Sequence, residues 1–107
     1  MIGNDVLPMQ REDLVFTDTV RISRIVLSAG ESSPWHYHNH LRERVYCLNG
    51  QVCIKSAQAA ERILMIGENV SFNPGDRHAL CNPTDQVAEY LLIQHGQYDF
   101  ITCDPAA

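Results

Sequence analysis

Short β-type segments separated by turn residues limit what this chain can fold into. From residue 19 onward, segments rich in valine, isoleucine and aromatic residues alternate with turns containing glycine, proline, asparagine or aspartate. Segments this short and turns this frequent favour an all-β barrel or jelly roll over a helical fold. We predict eight strands, over residues 19–27, 33–38, 45–48, 51–56, 62–65, 69–72, 78–82 and 88–95.

The length of 107 residues leaves room for one domain. A chain of this size buries somewhat over ~60% of its unfolded surface, which is enough for a core without disulfides. We expect an N-terminal arm with one short strand over residues 1–18, a barrel over 19–98 and a loosely attached C-terminal tail over 99–107. Residues 57–61 lack β-branched side chains and are expected to form a loop or a helical turn.

The charge and composition of the chain argue against several classes of binding partner. The formal net charge is −5, so the chain lacks the basic footprint of a protein that binds nucleic acid or an anionic membrane. No apolar run approaches the ~18 residues of a transmembrane helix, and the N-terminus lacks the pattern of a secretory signal. Four cysteines without a C-x-x-C pair are typical of reduced thiols. We therefore expect a cytoplasmic protein with a small-molecule substrate.

One segment concentrates side chains that ligate metals. In a strand, residues i and i+2 face the same side, so His36 and His38 can enter one cavity. Glu43 follows at an offset of five, and residues 39–42 are enough for a loop or bulge that restores the inward direction. Asn49-Gly50 then predicts a type I′ hairpin that pairs residues 45–48 with 51–54.

Two spaced motifs resemble those of the cupin superfamily, and we identify the chain as similar to its small single-domain, metal-binding members. The first motif, G-x5-H-x-H-x4-E-x6-G, is met by Gly30, His36, His38, Glu43 and Gly50. The second, G-x5-P-x-G-x2-H-x3-N, is met by Gly67, Gly75, His78 and Asn82. Asn73 stands where the family usually has proline, which affects the turn before Gly75 and not the ligands.

The resemblance implies a six- to eight-stranded antiparallel β-barrel or jelly roll with one metal inside. Its ligands would be His36, His38, Glu43 and His78. Three imidazoles and one carboxylate suit a divalent ion of iron, manganese, nickel, cobalt or zinc. The resemblance also implies a homodimer, to which the N-terminal arm would contribute, and the aromatic side chains of Trp35, Tyr37 and Tyr46 would face outward.

His40 leaves an alternative open. It continues the i, i+2 series, so His38 and His40 are a conceivable ligand pair, although that choice spoils the spacing to Gly30 and to Glu43. We interpret His40 as a residue at the rim of the site or in a solvated loop. The residues expected to face inward make a mainly apolar cavity: Ile25, Leu27, Val45, Cys47, Val52, Ile54, Leu80, Tyr90 and Leu92.

The ligand set supports three hypotheses about function. Four protein ligands leave two open positions on a six-coordinate ion, which suits small oxygen-bearing substrates. The first hypothesis is a dioxygenase-like oxidoreductase acting on a small carbonyl or phenolic compound, or on a keto or hydroxy acid. The second is a metal-dependent isomerase, lyase or cyclase, and the third is a non-catalytic module that binds a small molecule or metal. Retention of all four ligands argues against the third.

Overall fold

The polypeptide folds into two five-stranded antiparallel sheets. The structure, a computed structural model, describes residues 10–105, and within them ten strands form and no helix does. The strands are β1 (Gln10–Phe16), β2 (Val20–Leu27), β3 (His36–Tyr37), β4 (Leu41–Asn49), β5 (Val52–Ser56), β6 (Arg62–Leu64), β7 (Asn69–Phe72), β8 (His78–Cys81), β9 (Ala88–Gly96) and β10 (Ile101–Thr102). The predicted all-β fold is confirmed, and residues 57–61 form a loop. Across residues 10–105 there is no helix with the length and apolar character that crossing a membrane requires.

The strand order is that of a jelly roll. The first sheet has the order β1-β2-β9-β4-β7, and the second has the order β10-β3-β8-β5-β6. Strands next to each other in the chain often lie in different sheets, so the chain crosses repeatedly between the two layers. Ten strands exceed the six to eight that the resemblance implied, because β1 and the short β10 extend the sheets at their edges.

One hydrophobic core lies between the inner faces of the two sheets. Along β9, buried and half-buried residues alternate, which is the period of two expected for a strand with one face in the core. All nine side chains predicted to face inward are buried and belong to one cluster. The alternation of side chains along the predicted strands therefore predicted correctly which of these residues face the core.

The predicted hairpin at Asn49-Gly50 is wrong. Strand β4 pairs with β7 and β9, whereas β5 pairs with β6 and β8 in the other sheet. Both edges of β4 are already occupied, so the turn carries the chain across to the second sheet. Only Gly50 has a positive φ, of 70°, which excludes the type I′ turn. A Cβ at Gly50 would lie 2.7 Å from the carbonyl oxygen of Val87, so the close approach of these segments requires glycine.

The C-terminal segment is attached more firmly than predicted. Strand β10 pairs with β3, so that Thr102 lies opposite His36. The Asp99 carboxylate accepts hydrogen bonds from the backbone N–H of Asn39, at 2.9 and 3.1 Å. The expectation of a loose tail is therefore wrong for residues 99–105. At the other terminus, β1 pairs with β2, and the part of the predicted arm before residue 10 lies outside the described residues.

Candidate metal centre

Four buried side chains converge between the two sheets. His36, His38, Glu43 and His78 each offer one ligand atom, and these atoms all lie within 4.8 Å of one another. His36 and His78 are directly opposite each other in the β3–β8 ladder, and His38 follows β3. Glu43 comes from β4 in the other sheet. The structure thus brings together all four residues that the motifs predicted.

The bend between His38 and Glu43 forms as predicted, and backbone contacts hold it. The chain leaves β3 at Tyr37, bends at residues 39 and 40, and enters β4 at Leu41. The N–H of Gly75 donates to the carbonyl of His38 at 2.7 Å, and the N–H of Gln97 donates to that of His40 at 2.9 Å. The His40 side chain is exposed and lies outside the group of four.

Backbone carbonyls orient all three imidazoles. The Nδ1 of His36 lies 2.8 Å from the carbonyl oxygen of Pro34, and the Nδ1 of His78 lies 2.8 Å from that of Asp76. The Nδ1 of His38 bonds the carbonyl of Asp99 in the same way. A carbonyl only accepts, so each Nδ1 carries a proton, and in the neutral imidazole Nε2 keeps its lone pair. Each histidine is therefore set to act as a metal ligand through Nε2.

The Glu43 carboxylate lies between two of these nitrogens. Its Oε2 is 2.8 Å from Nε2 of His78, and its Oε1 is 3.1 Å from Nε2 of His38. The second contact lacks the alignment of a hydrogen bond, so His38 Nε2 is a buried nitrogen with no hydrogen-bond partner among residues 10–105. Imidazole nitrogens this close to a buried carboxylate require a proton or a metal cation between them. The donor set and this unpaired nitrogen fit a bound metal ion.

The electrostatics of the group favour the ligating protonation states of His36 and Glu43. Burial, with repulsion from His78, lowers the pKa of His36 to about 4, although its hydrogen bond to Pro34 acts in the opposite direction. Burial also disfavours charge on Glu43, but His38 and His78 outweigh it and hold the pKa of Glu43 below its usual range. For His38, burial is outweighed by Glu43 and the Asp99 carbonyl, so its pKa is raised. At neutral pH the carboxylate is ionised and His36 is neutral.

Three side chains that support the ligands were not found from the sequence. The Nε2 of Gln94 donates to Oε1 of Glu43 at 2.9 Å. Phe72 stacks on His78 with ring centroids 3.8 Å apart, and Phe100 stacks on His36 at 4.3 Å. Gln94 continues the inward-facing alternation of Tyr90 and Leu92, so extending that pattern by one step could have found it. Phe100 lies in the segment that was expected to be a loose tail.

A small cavity opens beside the four ligands. It has a volume of about 40 Å³ and is lined by three of the four, His36, His38 and Glu43, together with Arg11, Ile25, Ser33, Tyr90, Leu92, Gln94 and Phe100. Its lining mixes polar and apolar side chains, whereas a mainly apolar cavity was expected. Cys47 is buried in the core, but its Sγ lies near the carbonyls of Asn49 and Gly50 and does not line this cavity.

The sequence and the fold both match known proteins. A family model described as a cupin domain matches residues 23–94. An uncharacterized conserved protein with a double-stranded β-helix domain from Klebsiella pneumoniae is 15% identical, with a TM-score of 0.82 over 97% of this chain and 90% of that one. Among proteins with curated functions, none matches the sequence.

The structural neighbours include enzymes with named activities. A sugar phosphate isomerase of the cupin superfamily from Silicibacter pomeroyi is 22% identical, with a TM-score of 0.75 over 82% of this chain and 59% of that one. A recombinant oxalate oxidase in complex with glycolate is 18% identical, with a TM-score of 0.77 over 95% of this chain and 59% of that one. This chain therefore spans about three fifths of the length of these two enzymes.

The fold and the buried ligand group define a small all-β protein with a candidate metal site inside its two-sheet core. Because the family model covers about two thirds of the sequence, the chain belongs to the cupin family.

Proposed function

We propose that this chain binds one divalent transition metal through His36, His38, Glu43 and His78 and acts as a metal-dependent enzyme on a small molecule. We further propose a dioxygenase-like oxidoreductase, whose substrate is a small carbonyl or phenolic compound or a keto or hydroxy acid. The observation that carries the proposal is the set of three imidazole Nε2 atoms and one carboxylate, buried together beside a cavity.

The donor set restricts the metal to a class. Neutral imidazoles with one carboxylate suit iron, manganese, nickel, cobalt and zinc better than calcium or magnesium, which prefer oxygen ligands. Such an ion, when bound, supplies Lewis acidity toward a substrate oxygen or, if iron or manganese, redox chemistry with O₂. One carboxylate leaves a divalent ion with net positive charge, so an anionic oxygen ligand is favoured.

Residues of the cavity would orient the substrate and exclude water. Leu92 and Phe100 supply apolar walls, and an apolar wall beside the ligands keeps bulk water from the reacting atoms. Burial raises the pKa of Tyr90 further above its usual value, so its hydroxyl stays protonated at neutral pH and can donate a hydrogen bond. Gln94 holds Glu43 in place by its hydrogen bond to Oε1.

A second candidate is an isomerase, lyase or cyclase without redox change. It is favoured by the polar part of the cavity, where Ser33, Tyr90 and Gln94 lie beside the ligands and could hold an enolate or hydroxyl oxygen. The sugar phosphate isomerase among the neighbours has a redox-neutral activity on a similar fold.

The test of the proposal starts with metal content. Protein purified without added metal should contain close to one transition-metal ion per chain, and the cobalt form should change its absorption spectrum when oxalate or a catechol is added. Oxygen consumption with a panel of keto acids and catechols then separates the two candidates. If no chelator perturbs the spectrum at millimolar concentration, the site is structural and the proposal that the chain is an enzyme fails.

We also propose that the chain forms a homodimer. In support, the aromatic side chains of Trp35, Tyr37 and Tyr46 are only half-buried. Tyr46 lies on the outer face of the first sheet beside Leu91, and Ile22 and Ile93 pair on the same face. Apolar side chains that remain on an outer sheet face are commonly covered by a partner. Sedimentation of a ~12 kDa species at micromolar concentration, the mass expected from ~110 Da per residue, would reject the dimer.

The proposed compartment is the cytoplasm. Cys53 and Cys81 lie opposite each other in the β5–β8 ladder, yet all four cysteines are free thiols. Opposed thiols that remain unbonded are favoured in a reducing compartment. Fractionation of cells that express the tagged chain tests this part of the proposal, and recovery in a secreted fraction would contradict it.

A further inference from the structure

Two arginines lie at the opening that leads to the ligand group. Arg11 of β1 lines the small cavity beside the four ligands, and it also lines a wider opening of about 210 Å³. Arg21 of β2 lines the wider opening as well, together with His38 and Phe100. The Arg11 side chain is 31% exposed, so it lines the buried cavity and also contacts solvent.

A polar network fixes the direction of both guanidinium groups. Asp13 binds Nε of Arg11 at 3.0 Å and Nη2 of Arg21 at 3.1 Å, and it accepts a hydrogen bond of 2.6 Å from the buried hydroxyl of Ser23. The hydrogen bonds from Arg21 and Ser23 hold the pKa of Asp13 well below its usual range. Asp13 is therefore charged, and one carboxylate is shared by two cations.

The same network continues to the candidate metal ligand. The Nη2 of Arg11 donates to Oγ of Ser23 at 2.9 Å and to Oε1 of Gln94 at 3.4 Å. Gln94 in turn donates to Glu43. Among the described residues, these contacts use Nε and Nη2 of Arg11, and the two N–H groups on Nη1 make no hydrogen bond within residues 10–105.

With a divalent ion bound, the charged groups around the opening would carry a net positive charge, which favours the binding of an anion. Asp99 also lines it, but its carboxylate already accepts two hydrogen bonds from the backbone N–H of Asn39. Two arginines balance Asp13 and Asp99, and a divalent ion would exceed the charge of Glu43 by one. A guanidinium with two N–H groups left to donate is the side chain best suited to bind a carboxylate.

We infer that the substrate carries a carboxylate that pairs with Arg11, in addition to the oxygen atoms that would reach the metal. The inference rests on the proposed function, and it narrows the substrate class to small acids with a second anionic group. Because Arg11 lines both the wider opening and the small cavity beside the ligands, the acid would extend from the opening to the ligand group.

A matched pair of ligands tests the inference. The cobalt-loaded protein is titrated with 2-oxoglutarate and with 2-oxovalerate, which has the same five-carbon chain without the distal carboxylate, and the absorption spectrum reports binding. We expect 2-oxoglutarate to bind about tenfold to a hundredfold more tightly, the range that a hydrogen-bonded charge pair supplies. Raising the salt concentration should reduce this preference.

Two variants test whether Arg11 is the source of the preference for 2-oxoglutarate. Arg11→Gln should remove the preference, so that 2-oxoglutarate binds no more tightly than 2-oxovalerate, and Asp13 would still be paired with Arg21 and Ser23. Arg24→Gln is the matched control, because Arg24 binds Glu12 and Glu89 and does not line the opening. Arg24→Gln removes the same positive charge, and this variant should still bind 2-oxoglutarate more tightly than 2-oxovalerate.

The outcomes separate the inference from the proposed function. If neither acid changes the cobalt spectrum, the proposed function fails. If both acids change it with equal affinity, or if Arg11→Gln keeps the preference, only the inference is overturned. Should Arg11→Gln fail to fold, the preference of the unaltered protein and its salt dependence still decide the question.

Discussion

Gln94→Leu is the sharpest test of how the protein holds the candidate metal ligand. Gln94 is 6% exposed, and leucine fills a similar volume, so the change removes the hydrogen bond to Glu43 and the longer one from Arg11 with little loss of packing. The bond of 2.9 Å from Nε2 to Oε1 is the one side-chain hydrogen bond that Glu43 receives from outside the ligand group, within residues 10–105.

The expected loss follows from the charge of the acceptor. A hydrogen bond to a charged group contributes about 1.5–3 kcal/mol. If the loosened carboxylate gives up that free energy in metal binding, the affinity falls about tenfold to a hundredfold. The same range is typical when a side chain that orients a metal ligand is removed.

Competition for zinc or cobalt with a chromophoric chelator measures the change in affinity. Gln97→Leu serves as the control, because Gln97 is exposed and lies outside the ligand group. An affinity of Gln94→Leu within about twofold of the unaltered protein, with the control also unchanged, would refute the positioning role of Gln94.

Three further predictions follow from the site and its backbone. Alanine at any of the four ligands should sharply lower metal occupancy measured by elemental analysis, while circular dichroism shows a folded β protein; full occupancy in His78→Ala would contradict the ligand assignment. His40→Ala should leave the metal stoichiometry unchanged, and loss of metal there would instead support the His38 and His40 pair. Gly96→Ala should lower the free energy of unfolding in urea by more than about 2 kcal/mol, because φ is 130° and a Cβ would collide with the backbone of His40 and Leu41. Gly30→Ala, where φ is 73° and open space surrounds the Cβ, should cost about 1 kcal/mol, and equal losses in the two variants would contradict this reasoning.

Strand assignment could be predicted from the sequence because it depends on local spacing, and the four candidate ligands were predicted from the two motifs of the family. Alternation with a period of two identifies which residues of a strand share a face, and it correctly placed the inward side chains from Ile25 to Leu92. The offset of five between His38 and Glu43 requires a bend, and the structure has one at residues 39 and 40. These features need no knowledge of which strands are neighbours.

Strand pairing was decided by tertiary structure. Asn49-Gly50 has the local signature of a hairpin, but β7 and β9 occupy both edges of β4 and leave none for β5. A turn motif reports the conformations its residues tolerate, and it does not report which strands compete for the adjacent edges. The prediction of a hairpin failed for this reason.

The surroundings of the ligands also depended on contacts between residues far apart in the chain. The imidazole of His38 is oriented by the carbonyl of Asp99, and a backbone carbonyl has no signature in the sequence because every residue has one. Arg11 reaches Gln94 only because β1 and β9 both flank β2. The spacing of residues along the chain thus indicated the four candidate metal ligands. Packing of the two sheets decided which groups orient those side chains and which arginines line the opening, because these contacts form only after distant strands have paired.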